Sequence, residues 1–186
     1  MAGATGYNLA HLQVAPKTVS PTWKDINYAQ SAEFPISQDS DVLRADASAV
    51  ITAWSAPEGS GSIGFASADL ATIAVLTGGT VSTSGSGGAA INRLEIKGNT
   101  KPTAIMLAAW IPNVDGNSAL AGIRVTLPNA TATVPSASYD QESWTEFDSD
   151  IGFNPNENGD LLIYETLGTA PTFTSGVMPV NITAPA

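Results

Sequence analysis

The segment "TAIMLAAWIPNVDGNSALAGIRVTL", residues 103–127, decides the centre of the predicted fold. Its first part belongs to a strand expected at 102–111, which is apolar at successive positions, as in a strand covered on both faces. A second strand is expected at 119–127. Asp115-Gly116 between the two favours the positive φ angles of a tight hairpin turn. The sequence thus predicts an antiparallel strand pair at the core of the protein.

Short alternating segments bounded by Gly, Pro, Asn, Asp or Ser recur along the rest of the chain and predict further strands. A second hairpin is expected where Asn158-Gly159 joins a strand at 142–153 to one at 160–167. The remaining strands are expected near 7–14, 23–34, 41–46, 49–55, 60–66, 90–97 and 177–183.

One helix is expected near 67–77, within "FASADLATIAVLTGG". Ser67 can cap its amino terminus, and Asp69 would lie in the first turn, where the helix dipole favours an acid. Gly78-Gly79 would end it. Leu70, Ile73, Ala74 and Thr77 mark one face of it, with Leu76 alongside.

The length of 186 residues, the absence of cysteine and the lack of an internal repeat fit one domain over 1–186. The predicted fold class is mainly β, a sandwich or barrel with one flanking helix. Extended terminal arms are expected at 1–6 and about 170–186. No signal peptide and no apolar run long enough to span a bilayer is visible, so we expect no membrane partner.

The charge is distributed unevenly along the chain. Seventeen acids oppose seven bases, for a net charge of −10, and residues 125–186 hold eight of the acids and no Lys or Arg. A surface of this kind repels nucleic acid, because binding depends on cations that replace condensed counterions. The charged fraction of 13% is low for a free-standing domain, so we expect much of the surface to be covered by other molecules.

The strand at 142–153 separates carboxylates from apolar side chains by alternation. Carboxylates on one face of a strand recur about 7 Å apart and require water when no base lies opposite. This face is either an ordinary solvated sheet face or an acidic wall of a water-filled channel. The acidic residues are Glu142, Glu146, Asp148 and Asp150, and the apolar residues opposite them are Phe147, Ile151 and Phe153.

The segment "FNPNENGDLLIYE", 153–165, matches the spacing of a calcium-binding loop, with Glu165 at the last ligand position. That loop normally lies between helices, whereas strands flank this one, and asparagines stand where carboxylates usually supply charge. We therefore interpret the match as a hairpin turn and expect no metal. Glu165→Gln is expected to leave stability unchanged with calcium or with chelator.

No set of catalytic residues is visible. The single histidine, His11, has no cysteine partner and is expected to be partly buried or at an interface. A carboxylate pair for glycoside hydrolysis would have to come from scattered acids without an aromatic cleft. We expect neither enzymatic activity nor a cofactor.

A polar loop is expected at 38–48. It mixes acids with one base and is suited to a polar contact between subunits. The residues concerned are Asp39, Asp41, Arg44 and Asp46.

An ordered series of segments resembles the major tail tube proteins of long, flexible-tailed bacteriophages. The series begins with "LRADASAVITAW" and "GSIGFASADLATIAVLTGGTV" and continues with "WIPNVDGNSALAGIRVTLPNATA" and "QESWTEFDSDIGFNPNENGDLLIYETL". It covers nearly the whole chain, although no single motif is diagnostic. The resemblance implies a β-sandwich with one flanking helix, located in the virion after assembly in the host cytoplasm.

The resemblance also implies partners. Six copies would form a ring whose inner strands join into a barrel, and rings would stack around a tape-measure protein between distal tail proteins and a tail terminator. DNA would pass through the lumen without specific binding, and the acidic strand face would line that lumen.

Other functions remain open at this point. A tail terminator or a capsid decoration protein could share the acidic β composition and would form a single ring or a trimer. A carbohydrate-binding sandwich is less consistent with the sequence, because its tryptophans at 23, 54, 110 and 144 are scattered one per segment.

Overall fold

The two apolar segments quoted first form adjacent central strands of an antiparallel sheet. In the computed structural model they are Ile105–Pro112 and Gly122–Ala132, paired through most of their length. Every residue from Ile105 to Trp110 is at most 3% exposed, so the prediction of a strand covered on both faces is confirmed. The residues described by the structure are 9–18, 21–26, 28–45, 48–55, 57–66, 69–113, 120–138 and 146–168.

The described chain is mainly β, with fourteen strands, one α-helix and one 3₁₀ turn at Gly87–Ala89. The helix, α1, spans Leu70–Thr77. The strands are β1 His11–Pro16, β2 Lys24–Ile26, β3 Ala29–Glu33, β4 Ile36–Ser37, β5 Ser40–Ala45, β6 Ser48–Trp54, β7 Glu58–Phe65, β8 Thr80–Ser84, β9 Ile91–Glu95, β10 Ile105–Pro112, β11 Gly122–Ala132, β12 Ser136–Ser138, β13 Glu146–Phe153 and β14 Ile163–Leu167.

Strand β11 connects two half-sheets. Its first part pairs with β10 and β14, and its last three residues pair with β13. The change follows a bulge opposite β10 that contains Pro128, which has no amide hydrogen to donate and is tolerated in sheets at such bulges. The β10 half-sheet has the order β2-β1-β10-β11-β14, and the β7 half-sheet contains β13, β12, β7, β3 and β4.

The two half-sheets share one apolar core. Leu12 and Leu107 from the β10 half-sheet belong to the same buried cluster as Phe65, Ile151 and Phe153 from the β7 half-sheet. Apolar residues on facing sheets bury each other's surface, which is the main stabilising contribution in a sandwich. The arrangement confirms the predicted mainly-β fold with one helix.

Glycines in β7 make room for aromatic rings in this core. A Cβ added at Gly59 would lie 1.9 Å from the ring of Phe153, and one at Gly61 would lie 1.9 Å from the carbonyl oxygen of Glu33. Phe34 meets Phe153 edge to face, with ring centroids 6.2 Å apart. The repeated glycine in "EGSGSIGF" therefore has a packing role.

Helix α1 begins after Asp69, whose side chain caps it by accepting a hydrogen bond from the Thr72 amide, and it ends at Gly78 with φ of 72°. Ser67, the expected cap, lies outside the described residues. The predicted face is buried only in part: the buried residues are Thr72, Leu76 and Thr77, whereas Leu70, Ile73 and Ala74 are half-buried. The reason is that α1 lies between the sandwich and the β8–β9 hairpin and is partly covered on two sides.

The predicted hairpin between 142–153 and 160–167 is wrong. Both strands exist, as β13 and β14, but each pairs with β11 and they do not pair with each other. The segment predicted as one strand at 23–34 is divided into β2 and β3 by a turn at Tyr28, which has a positive φ of 54°. The Asp115-Gly116 turn, the strand at 177–183 and both terminal arms lie outside the described residues. No helix among the described residues is long and apolar enough to cross a membrane.

Candidate assembly surface

The side chains of β13 alternate between core and solvent as predicted. Ile151 and Phe153 are 1% exposed, and Phe147 is half-buried and stacked on Phe65 with ring centroids 5.5 Å apart. Asp148 and Asp150 are exposed. Glu146 is the first residue of β13, but its side chain is outside the described part, as is the whole of Glu142. Two of the four predicted acids are thus seen to share a solvent-facing side.

The neighbouring strands extend this side into a polar face. Asp150 lies opposite Ser62 of β7, which in turn lies opposite Glu33 of β3. The carboxylate of Asp148 leans over Gly64, where an added Cβ would lie 3.2 Å from its Oδ1. We call the exposed side of β13, β7 and β3 the acidic face; the described residues on it include no Lys or Arg.

A cleft of about 590 Å³ opens on the acidic face. Glu33 and Asp150 stand in its walls, together with the hydroxyls of Ser62, Thr131 and Thr133. Hydroxyls and carboxylates hold water well, and the residues that line the cleft include no aromatic side chain on which a sugar could stack. The chemistry of this surface is therefore hydration and electrostatic repulsion of anions.

The acidic face ends in strands that have partners on one side only. Among the described residues, β3 and β4 pair with β7 alone, and β12 pairs with β13 alone. Edge strands of this kind can accept a strand from another chain. Ile36 on β4 is 50% exposed and Val134, just before β12, is 54% exposed, so each edge also carries an aliphatic side chain in water.

Strands β5 and β6 form a separate hairpin that continues the hairpin of β4 and β7; we call it the arm. The arm is tied at its base by the Ser55 amide, which donates to the Asp39 carbonyl at 2.8 Å. It pairs within itself and packs extensively on no other described strand or helix. A two-stranded hairpin alone is marginal in water, and the described residues show no extensive packing that would add to the stability of the arm.

The predicted polar loop at 38–48 is one side of this arm. The strands expected at 41–46 and 49–55 are confirmed as β5 and β6. The prediction of a loop is therefore wrong for Asp41 and Arg44, because both lie in β5. Asp39 is exposed before β5, and Asp46 lies outside the described residues. Asp39, Asp41 and Arg44 thus lie at the base and on the first strand of the arm, and their role in a contact stays a prediction.

The calcium-like segment forms a turn held by its own asparagine. Asn156 Oδ1 accepts hydrogen bonds from the amides of Asn158 at 2.9 Å and Asp160 at 2.8 Å. Positive φ is found at Gly159 but not at Asn158, so the turn is an Asx turn rather than the expected two-residue hairpin turn. The ligand oxygen that a calcium loop would need free is engaged in holding the turn.

Glu165, the last position of the calcium pattern, is part of an ion pair. Its Oε2 accepts from Arg124 Nε at 2.7 Å, and the Arg124 side chain is only 7% exposed. Sequence reasoning missed this pair because the two strands are 41 residues apart and were expected to pair otherwise. The expectation that Glu165→Gln would leave stability unchanged does not fit this contact, since a buried guanidinium depends on its carboxylate.

His11 is the first residue of β1, opposite Trp110, and is exposed rather than partly buried. In the part of the chain that the structure describes, no three His, Asp or Glu side chains are grouped as metal ligands. No protein-family model and no curated protein sequence matches this chain.

Proposed function

We propose that this chain is the structural subunit of a bacteriophage tail tube, which forms rings of six copies that stack around a tape-measure protein into a conduit for DNA. The ordered resemblance to major tail tube proteins supports the proposal. The observation that carries it is the geometry of the β7 half-sheet, which combines one acidic solvent-facing side with an open edge at each end.

The direction of the strands supports closure into a ring. Across the half-sheet the chain runs through β3 with β4, β7, β13 and β12, and each is antiparallel to the next. With four strands the first and last run in opposite directions. Rotation about an axis parallel to the strands generates the next copy without changing the direction of its strands. The β3–β4 edge of one copy then lies antiparallel to the β12 edge of the next, so the sheet continues and both edges are covered.

The acidic face supports a conduit for DNA. On a closed barrel one side of the half-sheet faces the lumen and the other faces the core, which Ile151 and Phe153 already occupy. The carboxylates of Asp148 and Asp150 would then line the lumen. Their field extends over the screening length of about 8 Å at physiological salt, which is enough to act on DNA close to the wall. Six copies at −10 each give about −60 per ring, so DNA would not adhere.

The arm supplies a contact for stacking. It lies in the chain between the end of β4 and the start of β7, and among the described strands its two strands pair only with each other. Contacts that close by rotation make a ring, and contacts that translate along the axis make a filament. We assign the edges to the first kind and the arm to the second.

The experiment that tests the proposed function is electron microscopy of the purified chain with and without a co-expressed tape-measure protein. Rings or tubes of uniform width are expected, because both edges and the arm have no further strand partner among the described residues. A chain that stays monomeric at high concentration in both preparations would contradict the proposal.

A shortened arm separates the two kinds of contact. Val42 and Thr52 are cross-strand partners, so replacing 43–51 with Asn-Gly closes the hairpin early with a suitable two-residue turn. We expect this variant to fold and to form single rings that do not stack. Replacing Gly88, an exposed glycine with open space around it, by Ala provides a control that should form tubes. Tubes of normal length from the shortened variant would remove the arm from stacking.

A further inference from the structure

The β10 half-sheet is buried on both of its sides. One side faces the core that it shares with the β7 half-sheet, where Leu12 and Leu107 lie. On the other side, residues of three adjacent strands are at most 5% exposed. We call this set the outer strip: Gln13 and Ala15 of β1, Met106, Ala108 and Trp110 of β10, and Arg124 and Thr126 of β11. A sheet face is buried to this extent only where other parts of a protein cover it.

The outer strip is narrow, and its flanks are in contact with water. His11 of β1 is exposed, and the side chain of Glu165 on β14 is 39% exposed. Strands β1 and β11 lie about 10 Å apart across β10, and the distance from Met106 to Trp110 along β10 is about 14 Å. An area of this size can be covered by one extended segment of chain.

The described residues account for the cover at one end of the outer strip. Its buried cluster contains one described side chain from outside the three strands, Trp23. Because Val14 pairs with Lys24, Trp23 lies at the Ala15 end of the strip. Helix α1 and the β7 half-sheet pack against the opposite side of the sheet, where Leu76 belongs to the shared core. This leaves the parts of the chain outside the described residues to cover the other end, at Trp110.

The carboxy-terminal segment, 169–186, begins at that end. It follows β14, whose last residue, Leu167, pairs with Gly122. A Cβ added at Gly122 would lie 2.7 Å from the ring of Trp110, so the segment leaves the sheet beside this ring. The eighteen residues of the segment can reach up to about 60 Å when extended, which is several times the length of the strip.

The composition of this segment is suitable for a buried position. It contains no Asp, Glu, Lys, Arg or His, so its burial removes no charged side chain from water. In "VMPVNIT", 177–183, the apolar residues Met178, Val180 and Ile182 alternate with Pro179 and Asn181. An extended conformation therefore places the three apolar side chains on one face.

The other long segments outside the described residues are less suitable. Segments 114–119 and 139–145 contain acids, and each is held at both ends by strands. Segment 1–8 is free of charged side chains and leads into β1, but its only large apolar residues are Met1 and Tyr7.

Two buried polar atoms of the outer strip offer hydrogen bonds to a covering segment. Gln13 Oε1 and Thr126 Oγ1 have no hydrogen-bond partner among the described residues. The other end of the Gln13 amide, Nε2, donates to Asp25. Gln13 and Thr126 are the cross-strand neighbours of Ala108 on its two sides, so both flank the small side chain at the centre of the strip. Unpaired buried polar atoms are unfavourable, and the amides and hydroxyls of an extended segment can pair with them.

We propose that residues 169–186 cover the outer strip of their own copy, with Met178, Val180 and Ile182 packed over Ala108. The single chain already buries the strip, which favours its own carboxy-terminal segment over that of a neighbour. The segment is then part of the fold of the subunit and not an arm reserved for assembly. The proposal does not depend on the formation of rings or tubes.

Two adjacent substitutions test the contact. Val180→Asp places a carboxylate on the apolar face of the segment, whereas Asn181→Asp places the same charge on the opposite face. We expect Val180→Asp to lower the melting temperature by about 4 °C or more, because a charge would be buried on the strip, and Asn181→Asp to leave it unchanged. An unchanged melting temperature for Val180→Asp, or an equal decrease for both variants, would overturn the proposal.

Nuclear Overhauser contacts locate the segment directly, at protein concentrations below those of assembly. The methyl group of Ala108 should show contacts with side chains of residues 178–182. In a mixture of isotope-labelled and unlabelled copies, these contacts should arise within a copy and not between copies. Contacts of Ala108 with residues 1–8 instead, contacts only between copies, or the absence of any contact with 169–186 would each overturn the proposal and leave the ring proposal standing.

Discussion

Replacing Glu165 by Gln should destabilise the protein by a calcium-independent amount. The substitution keeps a hydrogen-bond acceptor but removes the charge that faces Arg124, whose side chain is 7% exposed, while that of Glu165 is 39% exposed. Breaking a fully buried ion pair costs about 3–5 kcal/mol, and breaking an exposed one costs about 0.2–1 kcal/mol. This half-exposed pair lies between those limits, so we expect a loss of about 1–2 kcal/mol in the free energy of unfolding.

Thermal and urea unfolding measure this loss. For a chain of this length, 1 kcal/mol shifts the melting temperature by about 2–4 °C, so the expected decrease is about 2–8 °C, equal in calcium and in chelator. Glu157→Gln is the matched control, because Glu157 belongs to the same calcium-like segment but is exposed, and it should not change stability. Unchanged stability of Glu165→Gln would refute the role of the ion pair. A calcium-dependent rise in melting temperature that this variant abolishes would restore the calcium loop.

Two further substitutions test the packing and the helix cap. Gly61→Ala should cost about 1–3 kcal/mol in urea unfolding, because its Cβ would lie 1.9 Å from a backbone carbonyl oxygen, whereas Gly98→Ala, with open space around it, should be neutral. Asp69→Ala should cost about 1 kcal/mol at neutral pH, because it removes the cap of α1. Partial burial alone would raise the pKa of Asp69, but hydrogen bonds from Thr72 and the charge of Lys24 lower it. The cap's charge therefore stabilises the fold above pH 3.8, and the stability difference between the two proteins should shrink in acid melts as the pH falls through the lowered pKa.

The sequence predicted those features that depend on local periodicity. The burial of β10 followed from its continuous apolar residues, and the two-sided pattern of β13 followed from the alternation of Asp148 and Asp150 with Ile151 and Phe153. The pattern of β13 has the two-residue period of a strand, whose alternate side chains point to opposite faces, whereas the continuous apolar run of β10 covers both faces. The end of α1 before Gly78 was also predicted correctly from a local signal, whereas its start was placed three residues early, because Asp69 was expected in the first turn and is the cap.

Strand pairing and contacts between residues far apart in the chain could not be predicted from local sequence patterns. The Asn158-Gly159 dipeptide correctly marked a turn, but both flanking strands pair with β11 instead of with each other. Their contacts with β11 join residues 21 and 41 positions apart in the chain, which no local pattern predicts. The ion pair of Arg124 with Glu165 followed from the same strand pairing. The edge positions of β4 and β12 and the independence of the arm became visible only in the sheet order.

The central claim is that the acidic face lines the lumen of a tube built from this chain. A density map of the assembled tube, obtained by helical reconstruction, tests it most directly. We expect rings of six copies in which β13 belongs to a continuous inner barrel, with Asp148 and Asp150 pointing into the lumen and Ile151 and Phe153 pointing away from it. A map that places Asp148 and Asp150 on the outer surface, or that shows β3, β4 and β12 uncovered between neighbouring copies, would contradict it.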